Sequence, residues 1–402
     1  MNIPRPFLRS PSFWALCAWI ALALLSDLIA NDRPLYCKAA GAAFFPAFHD
    51  QAKPFGHAVM DSIRERDLWA AYAYERVVFA PIPFSPTRAA RDPLAPSLAP
   101  GALHPQRPAR FRHWLGTDLY GTDIAAGIVG GARRALLITA PVLAIVLILG
   151  LFLGGAAGYW GDYGLRIRIG SLVGVLAALP LGWFWGGALW DFFYEKNMPV
   201  AAWLGAGCVA CGVWATSAGL ARAPGLRKEI ALPLDLMIMR VVEAFYSLPR
   251  MMMLIAVMAM FTHFQFGALA LTVGVLSWTG VAMLARNEML RIREMPYVSA
   301  AQSLGLSRFR ILIRHILPNA LPPIYVTLAL GASGIILLEA SLSFLGLSGD
   351  VKGNASWGAM LARAKLRYAD WWAAAFPGLA IAIVTLSLYE IGERLRNWQH
   401  ER

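Results

Sequence analysis

The chain has 402 residues, of which 58% are hydrophobic and only 15% are charged. Soluble domains average roughly 25% charged residues, so this composition argues against a soluble globular enzyme. It also excludes intrinsic disorder, which requires low hydrophobicity and high charge. The net charge of +12 comes from 36 Lys and Arg against 24 Asp and Glu. Its meaning depends on where the basic residues lie.

Eight apolar segments are long enough to cross a lipid bilayer, which takes about 20 consecutive and mostly apolar residues. The first is too long for the core of a signal peptide, and we interpret it as a retained membrane anchor. The sequence therefore predicts an all-α polytopic membrane protein with about eight transmembrane helices. In chain order the segments are 13–30, 135–157, 169–190, 200–221, 236–261, 267–285, 324–347 and 371–391.

Basic residues are concentrated in the connections on one side of these predicted spans. Between residues 286 and 314 the chain has six arginines and two glutamates, and both chain ends are also basic. Cytoplasmic loops carry such an excess, so this side is predicted to be cytoplasmic, and no nucleic-acid partner is needed to explain the charge. Two places depart from the rule. They are Arg133 with Arg134, and the outer link 348–370 with four basic residues.

The segment 31–134 is the largest polar part of the chain, and in this orientation it lies outside the membrane. Eight prolines fall between residues 81 and 108. Proline interrupts both helices and central strands. We therefore predict a small ordered cap in the first half and an extended lead-in to the second span in the other half.

The cytoplasmic link at residues 286–320 is the most informative stretch. Its sequence predicts two short helices separated at Gly305, which permits a left-handed turn. Ser307 is a suitable cap for the second helix, and Pro318 is predicted to end that helix before the membrane. A loop of about 30 residues is long for a simple connection. From the residues alone, two functions stay open: docking of a partner protein, or an amphipathic helix that lies on lipid.

Three groups of motifs make the chain resemble a known family. The pattern Ser299-Ala-Ala-x-x-x-Gly305, followed by His315-Ile-Leu-Pro318-Asn, is similar to the cytoplasmic EAA loop of ABC-importer permeases of the dipeptide/oligopeptide (peptide/nickel) branch. Residues 115–123 resemble that branch's GTDxxGRD segment. Residues 339–347, 356–358 and 376–379 resemble the closing segment of the permeases of that branch. The start of the chain and its large outer loop are most similar to the Yej-type permeases, which are associated with microcin C and peptide uptake.

The resemblance implies the transmembrane domain of a type I ABC importer with an outer Pro-rich loop domain. Its parts are the N-terminus with the first helix (1–30), the outer loop domain (31–134) and the permease domain (135–402). Six helices correspond to the family, and two more come from a predicted insertion at 163–233. The family's Glu is replaced by Ser299 at the first EAA position.

The same resemblance implies a transport subunit of the bacterial inner membrane, not an enzyme. It would move peptides or peptide-like solutes inward by alternating access, together with a second homologous permease, two ATP-binding subunits, an extracytoplasmic substrate-binding protein and the surrounding membrane lipid. The alternative is a membrane scaffold that docks a cytoplasmic partner without transport. The chain lacks a G-x-x-x-x-G-K-[ST] phosphate loop, so ATP and Mg belong to the partners, and no cofactor or metal is predicted in this chain. The residues predicted to contact the ATPase are Ser299, Ala300, Ala301, Gly305, His315 and Pro318.

Charged residues inside the predicted spans are candidates for the transport pathway. Each costs roughly 2.5–3.5 kcal/mol at the centre of a membrane helix. Arg240 and Glu243 are three residues apart and therefore share a helix face. Arg250 follows a proline, where a kink is expected, and Glu339 lies near the outer end of its span. Each of them has two interpretations, a position on a watery pathway or a structural ion pair.

The motif at 115–123 has a simpler interpretation. We expect Asp118 to stabilise a turn, and either Thr122 or Asp123 to cap the helix that leads to the second span. A metal site at these two carboxylates is not predicted.

Overall fold

A computed structural model describes residues 10–49, 55–65, 69–70, 72–86, 96–104, 108, 110–162, 166–171, 173–174, 209, 211–212, 215, 218–219, 229–259, 266–347 and 355–400. The predicted third and fourth spans, 169–190 and 200–221, fall almost entirely outside these residues. The other six predicted spans fall on them.

Helices make up most of the described chain. Their composition is rich in Leu, Ile, Val and Ala, and Asp123 and Ser10 cap the starts of two of them with their side chains. In chain order they are α1 (Pro11–Leu24), α2 (Ser26–Ile29), α3 (Ala58–Glu65), α4 (Ile124–Trp160), α5 (Leu234–Ser247), α6 (Arg250–Ala259), α7 (Phe266–Ser277), α8 (Thr279–Arg293), α9 (Pro296–Ser303), α10 (Arg308–Phe344), α11 (Trp357–Ala364) and α12 (Trp371–His400).

Within the described residues, three helices are long and apolar enough to cross a membrane: α4, α10 and α12. Two bent pairs pass the same test when each is taken as one span, α5 with α6 and α7 with α8. The first predicted span corresponds to α1, a shorter apolar helix, followed by α2. The prediction of a helical membrane protein is therefore confirmed, and each of the six predicted spans on described residues coincides with helix.

Short strands occur in three small antiparallel sheets. The first has the order β2-β1-β3 and consists of β1 (Tyr36–Ala39), β2 (Ala42–Phe44) and β3 (Arg76–Val78). Helix α3 covers it, and Cys37, Met60 and Trp69 form its buried core. The other two sheets pair β4 (Ala102–Leu103) with β5 (Arg112–His113), and β6 (Arg166–Arg168) with β7 (Glu229–Ala231).

The second half of the 31–134 segment is more folded than an extended lead-in. Strand β4 pairs with β5, and Phe111 beside this pair is completely buried together with Phe84. The described residues between 81 and 123 contain no helix, as the prolines predict, and the aromatic side chains between them bury enough apolar surface to hold the chain in place. The expectation of an extended segment was therefore wrong for its described part.

Helix α4 is the centre of the bundle and contacts α1, α7, α8, α10 and α12. The half of α4 that ends at Trp160 packs against α8 along a seam of three glycines, Gly150, Gly154 and Gly158. A Cβ atom on Gly154 would lie 2.0 Å from the carbonyl oxygen of Ala282, and one on Gly158 would lie 2.4 Å from that of Arg286. Only glycine permits such close backbones, and small residues at four-residue spacing are a common device of membrane helix pairs.

Helix α10 continues through Pro318, against the sequence prediction. A π-helical turn at Leu312–Ile316 stands directly before this proline, and the helix then runs on to Phe344 with Pro322 and Pro323 also inside it. Proline removes one N–H donor and crowds the preceding turn, and a local π turn is one way in which a helix accommodates such a residue. The prediction that Pro318 ends the helix was therefore wrong.

The helix pair α5–α6 is sharply bent. The two helices meet at an angle of 87°, with Leu248 and Pro249 between them. The kink that the sequence predicts next to Arg250 is thus confirmed, since proline and its preceding residue both disfavour a continued helix.

Candidate functional site

Two ends of the bundle carry the candidate site. We call the end next to residues 31–123 the upper end, and the end next to residues 294–307 the lower end. Residues 294–319, which join α8 to α10 and include the first turns of α10, are called the link.

The link contains the predicted pair of helices. Helix α9 is followed by a turn in which Gly305 has a φ of 76°, a left-handed conformation that side chains disfavour. The Ser307 hydroxyl oxygen then accepts a hydrogen bond from the backbone N–H of Arg310 at 3.4 Å and caps the start of α10. The break at Gly305 and the cap at Ser307 are both as predicted.

One face of the link is packed against the lower end of the bundle. Val298 and Ala301 are buried together with Met289 and Ile292 of α8 and Ile311 of α10. Because protein interiors are close-packed and resist deformation, this cluster joins the link firmly to the two helices that flank it.

The opposite face of the link is exposed and partly apolar. The side chains of Leu304 and Phe309 are 82% and 72% exposed. Of the predicted contact residues, Ser299, Ala300, Gly305 and Pro318 are exposed, His315 is half-buried and Ala301 is buried. The exposed set lies beside cationic Arg308 and Arg310, which are also exposed.

The link is tied to the lower end of α4 through backbone acceptors. The Tyr159 hydroxyl donates to the carbonyl oxygen of Arg308 at 2.8 Å. Arg293, the last residue of α8, donates from Nη1 to the carbonyl oxygens of Tyr159 at 3.2 Å and Gly158 at 3.5 Å. Sequence reasoning missed both ties, because a carbonyl acceptor leaves no residue-type signal.

A buried carboxylate, Glu339 of α10, lies at the upper end. Its Oε1 accepts hydrogen bonds from Arg134 at 3.2 Å, from Ser343 at 2.7 Å and from Ser356 at 3.0 Å, and the residue is 3% exposed. In this chain Glu339 thus forms a satisfied ion pair, which favours the structural interpretation over the pathway. The pair also explains why Arg134 occurs where the charge rule disfavours it.

A second buried ion pair joins the 115–123 motif to α11. Arg363 lies 3.1 Å from the carboxylate of Asp118, with side-chain exposures of 3% and 8%. The other oxygen of Asp118 accepts from the backbone N–H groups of Tyr120 and Thr122, each at 2.9 Å. Asp118 therefore stabilises a turn, as predicted. Together with the contact between Arg367 and Asp370 at 3.6 Å, this pair accounts for part of the unexpected charge in 348–370.

Asp123 is the cap of α4. Its Oδ1 accepts from the N–H of Ala126 at 2.7 Å, and its Oδ2 lies 2.8 Å from Nδ1 of His113, which is fully buried. Of the two predicted caps, the structure selects Asp123. Among the described residues, no three His, Cys, Asp or Glu side chains come together as a metal site requires.

The remaining pathway candidates lie on α5 and α6. Arg240 donates to Glu243 at 2.8 Å, as expected for their spacing, and these side chains are 71% and 60% exposed. Arg250 is exposed at the start of α6, directly after the corner. Arg240 and Glu243 are thus paired with each other on an exposed face of α5, and Arg250 is exposed beside the corner that follows.

A helical membrane bundle with a firmly attached, exposed link is suited to a permease that is driven by a protein bound at its surface. Residues 230–402 match the family described as "Binding-protein-dependent transport system inner membrane component", and they include α5 to α12 and the link. The part of the chain from α5 onward is accordingly similar to an inner membrane component of binding-protein-dependent transport systems, and the comparisons support a permease subunit of an ABC importer. Such a permease requires ATPase and substrate-binding partners.

Full-length relatives agree with this assignment. The chain is 27% identical to the inner membrane ABC transporter permease protein YejE of Escherichia coli, over 96% of this chain and 91% of that protein. It is 25% identical to the peptidoglycan transport system permease protein YejE of Agrobacterium fabrum, over 96% and 87%. It is also 26% identical to the dipeptide transport system permease protein DppC of Alkalihalophilus pseudofirmus, over 80% and 79%.

Proposed function

We propose that this chain moves peptides or peptide-like solutes into the cell, as one of two related permeases driven by two ATP-binding subunits. The observation that carries the proposal is the link, which presents exposed apolar side chains on one face and is packed into the bundle on the other. The names of the relatives, which include dipeptide and peptidoglycan transport systems, support a peptide-like cargo. The ATP and Mg sites are assigned to the partners.

The exposed face of the link is the proposed docking surface for an ATP-binding subunit on the cytoplasmic side. Leu304 and Phe309 are the central apolar side chains of this surface, and burying a side chain of this size in a partner contributes roughly 1.5–3 kcal/mol. Exposed Ser299 and Ala300 add small side chains over which a partner can approach closely. Loss of the family's Glu at position 299 removes one charge from this surface.

Movement of the docked link is transmitted because the link shares one buried cluster with α8 and α10. When the ATP-binding subunits close, the link moves, and these two helices move with it as a rigid body. Tilting of the bundle then opens the pathway alternately to the two sides of the membrane. No chemical step is assigned to this chain.

A second permease is proposed to cover the α5–α6 face. Exposed Arg240 and Glu243 at membrane depth are costly against lipid, so this face is better placed against another protein or water. Arg250 extends the same charged face. In this proposal the three side chains lie at the pathway between two permeases, whereas Glu339 forms the internal ion pair with Arg134.

Reconstitution in proteoliposomes tests the proposal. Vesicles that contain the chain, its second permease and the ATP-binding subunits should accumulate a labelled peptide. Accumulation should require ATP on the side of the ATP-binding subunits and the binding protein on the opposite side. An assembled complex that hydrolyses ATP without accumulating peptide would favour the scaffold alternative.

A substitution pair tests the docking surface. We expect Leu304→Asp to abolish co-purification of the ATP-binding subunits. Leu366→Asp is the matched control, because Leu366 is 57% exposed but follows α11 at the upper end. Equal loss of co-purification in both variants would contradict a docking surface at the link.

A further inference from the structure

The two longest described membrane helices, α4 and α10, run antiparallel and are tied to each other at both ends. Each has 37 residues, which corresponds to about 55 Å of helix. At the upper end the tie is the ion pair of Arg134 with Glu339, and at the lower end it is the hydrogen bond from Tyr159 to the Arg308 carbonyl. Movement of the link can therefore be transmitted to the upper end through α10. It can also be transmitted through α4, which is joined to the link by the Tyr159 hydrogen bond.

The side chain of Arg293 contacts the lower end of α4. The last carbonyl groups of a helix lack partners within that helix, and a cation there is favoured by the helix dipole. The Nη1 of Arg293 donates to two of them, the carbonyls of Gly158 and Tyr159. Gly161, with a φ of 59°, then turns the chain away from the helix end.

The glycine seam holds α4 and α8 in contact along their sides, with Val281 against Gly150 and the Ala282 carbonyl against Gly154. The guanidinium of Arg293 adds a contact at the end of α4, because it is carried by α8 and donates to the last carbonyl groups of α4. It therefore opposes displacement along the helix axis.

We propose that Arg293 is a positioning residue that couples movement of the link to α4, so that the upper end responds to the ATP-binding subunits. This inference rests on the proposed function. Arg293 does not lie on the exposed face of the link, since it is half-buried at the end of α8. Its loss should leave docking of the ATP-binding subunits intact and weaken the transmission that follows.

Arg291 supplies a matched control. It is two residues away on the same helix, and it donates to Glu288 of the same helix at 2.6 Å with its side chain 54% exposed. Arg291→Gln removes the same charge from the same end of α8 but leaves the contact to α4 in place.

The experiment compares Arg293→Gln, Arg293→Lys and Arg291→Gln in ATP-driven proteoliposomes, and it measures the number of labelled peptide molecules taken up per ATP hydrolysed. Because the charged donor to both carbonyl groups is lost, we expect a fall of roughly tenfold or more in this ratio for Arg293→Gln. ATP hydrolysis and co-purification should stay near the wild-type level. Arg293→Lys should restore part of the ratio, and Arg291→Gln should leave it unchanged.

An equal ratio in Arg293→Gln and Arg291→Gln would overturn the inference. If Arg293→Gln does not assemble, Tyr159→Phe replaces it, because this variant removes one hydroxyl and keeps the ring. A lowered ratio with Tyr159→Phe supports the tie between α4 and the link, and an unchanged ratio overturns it. Absence of any uptake by the wild-type complex would instead refute the proposed function, so the two failures are distinguishable.

Discussion

Arg134 and Glu339 form a buried ion pair across 205 residues of sequence, with Nε and Oε1 3.2 Å apart. Two serines, Ser343 and Ser356, donate to the same carboxylate oxygen, so the charge is both neutralised and hydrogen-bonded. The pair joins the 339–347 motif to α4, and Ser356 adds the segment before α11. Residues that are distant in the sequence thereby become one rigid unit at the upper end.

Removal of one partner from this pair should be strongly destabilising. Glu339→Ala removes the carboxylate that faces the largely buried Arg134 guanidinium, whose side chain is 14% exposed, and breaking a buried pair in this way typically costs about 3–5 kcal/mol. We expect the free energy of unfolding, measured by denaturant titration in detergent, to fall by about 3 kcal/mol. The double variant Arg134→Met/Glu339→Leu should recover most of this loss.

The exposed pair of Arg240 and Glu243 provides the control for that titration. Its members lie on one helix and are more than half exposed, so the pair joins no two elements of the described chain. Glu243→Ala should therefore change the free energy of unfolding little. A loss as large as that of Glu339→Ala would contradict the distinction between the two pairs.

The glycine seam predicts a sharp size limit at Gly154. Its Cβ would meet the Ala282 carbonyl oxygen at 2.0 Å, so Gly154→Ala must push α4 and α8 apart. Overpacking of this kind costs about 1–3 kcal/mol, and we expect a lower unfolding temperature of the purified chain. Gly331→Ala in α10 is the control, because nothing lies within 4 Å of the added methyl group, and alanine favours helix over glycine. Equal unfolding temperatures of the two variants would argue against the seam.

Substitution of Gly305 tests the backbone conformation of the turn without a steric clash. Its φ of 76° disfavours side chains, yet nothing lies within 4 Å of an added Cβ. Gly305→Val should therefore strain the turn by roughly 1–3 kcal/mol and lower peptide uptake per ATP while insertion into the membrane is unchanged. Gly305→Asn should be milder, since asparagine tolerates this conformation. Normal uptake by the valine variant would refute the role of the turn.

The β6–β7 pair closes the ends of the predicted insertion. Arg168 pairs with Glu229, and the Asp162 carboxylate accepts from the N–H of Leu236 at 2.9 Å. Replacement of residues 169–228 by Asn-Gly would connect the strands through a two-residue hairpin turn. We expect this shortened chain to reach the membrane fraction and to bind the ATP-binding subunits. Loss of both would show that the removed segment is required by the rest of the fold.

The reactivity of Cys37 measures how well the β1–β3 sheet in the outer segment is folded. Burial raises the pKa of its thiol from 9.0 to about 11, so at pH 8 only about one molecule in a thousand carries the reactive thiolate. Maleimide labelling of Cys37 should be slow in the folded protein, and much slower than labelling of the same residue in the denatured chain. Because the unfolded chain ionises first, this sheet should lose stability as the pH rises from about 9 to 11. Equally fast labelling of Cys37 in the folded and the denatured chain at pH 8 would contradict the buried position.

Much of the site was predictable because its signals are local. The turn at Gly305 and the cap at Ser307 depend on a few neighbouring residues, and the same is true of Asp118 and Asp123. Hydropathy located the six spans that fall on described residues, since a bilayer imposes a minimum apolar length. The glycine seam also has a local signal in the sequence, a repeated G-x-x-x-G in an apolar segment.

Other features depend on tertiary contacts and could not be predicted. Glu339 was a candidate as a single residue, but nothing local indicates that its partner is Arg134. The ties made by Arg293 and Tyr159 use carbonyl acceptors, which every residue has. Pro318 shows the opposite error: a valid local rule predicted the end of the helix, and a π turn within a well-packed helix overrode it.

The 87° corner between α5 and α6 has a consequence for what surrounds it. A bend that sharp releases backbone carbonyl groups near Leu248 from helical pairing, and acyl chains have no donors with which to satisfy them. The neighbour at this corner must therefore supply N–H or O–H groups. Ordinary hydrocarbon is excluded as that neighbour, so this stretch of backbone belongs beside water or beside another polypeptide.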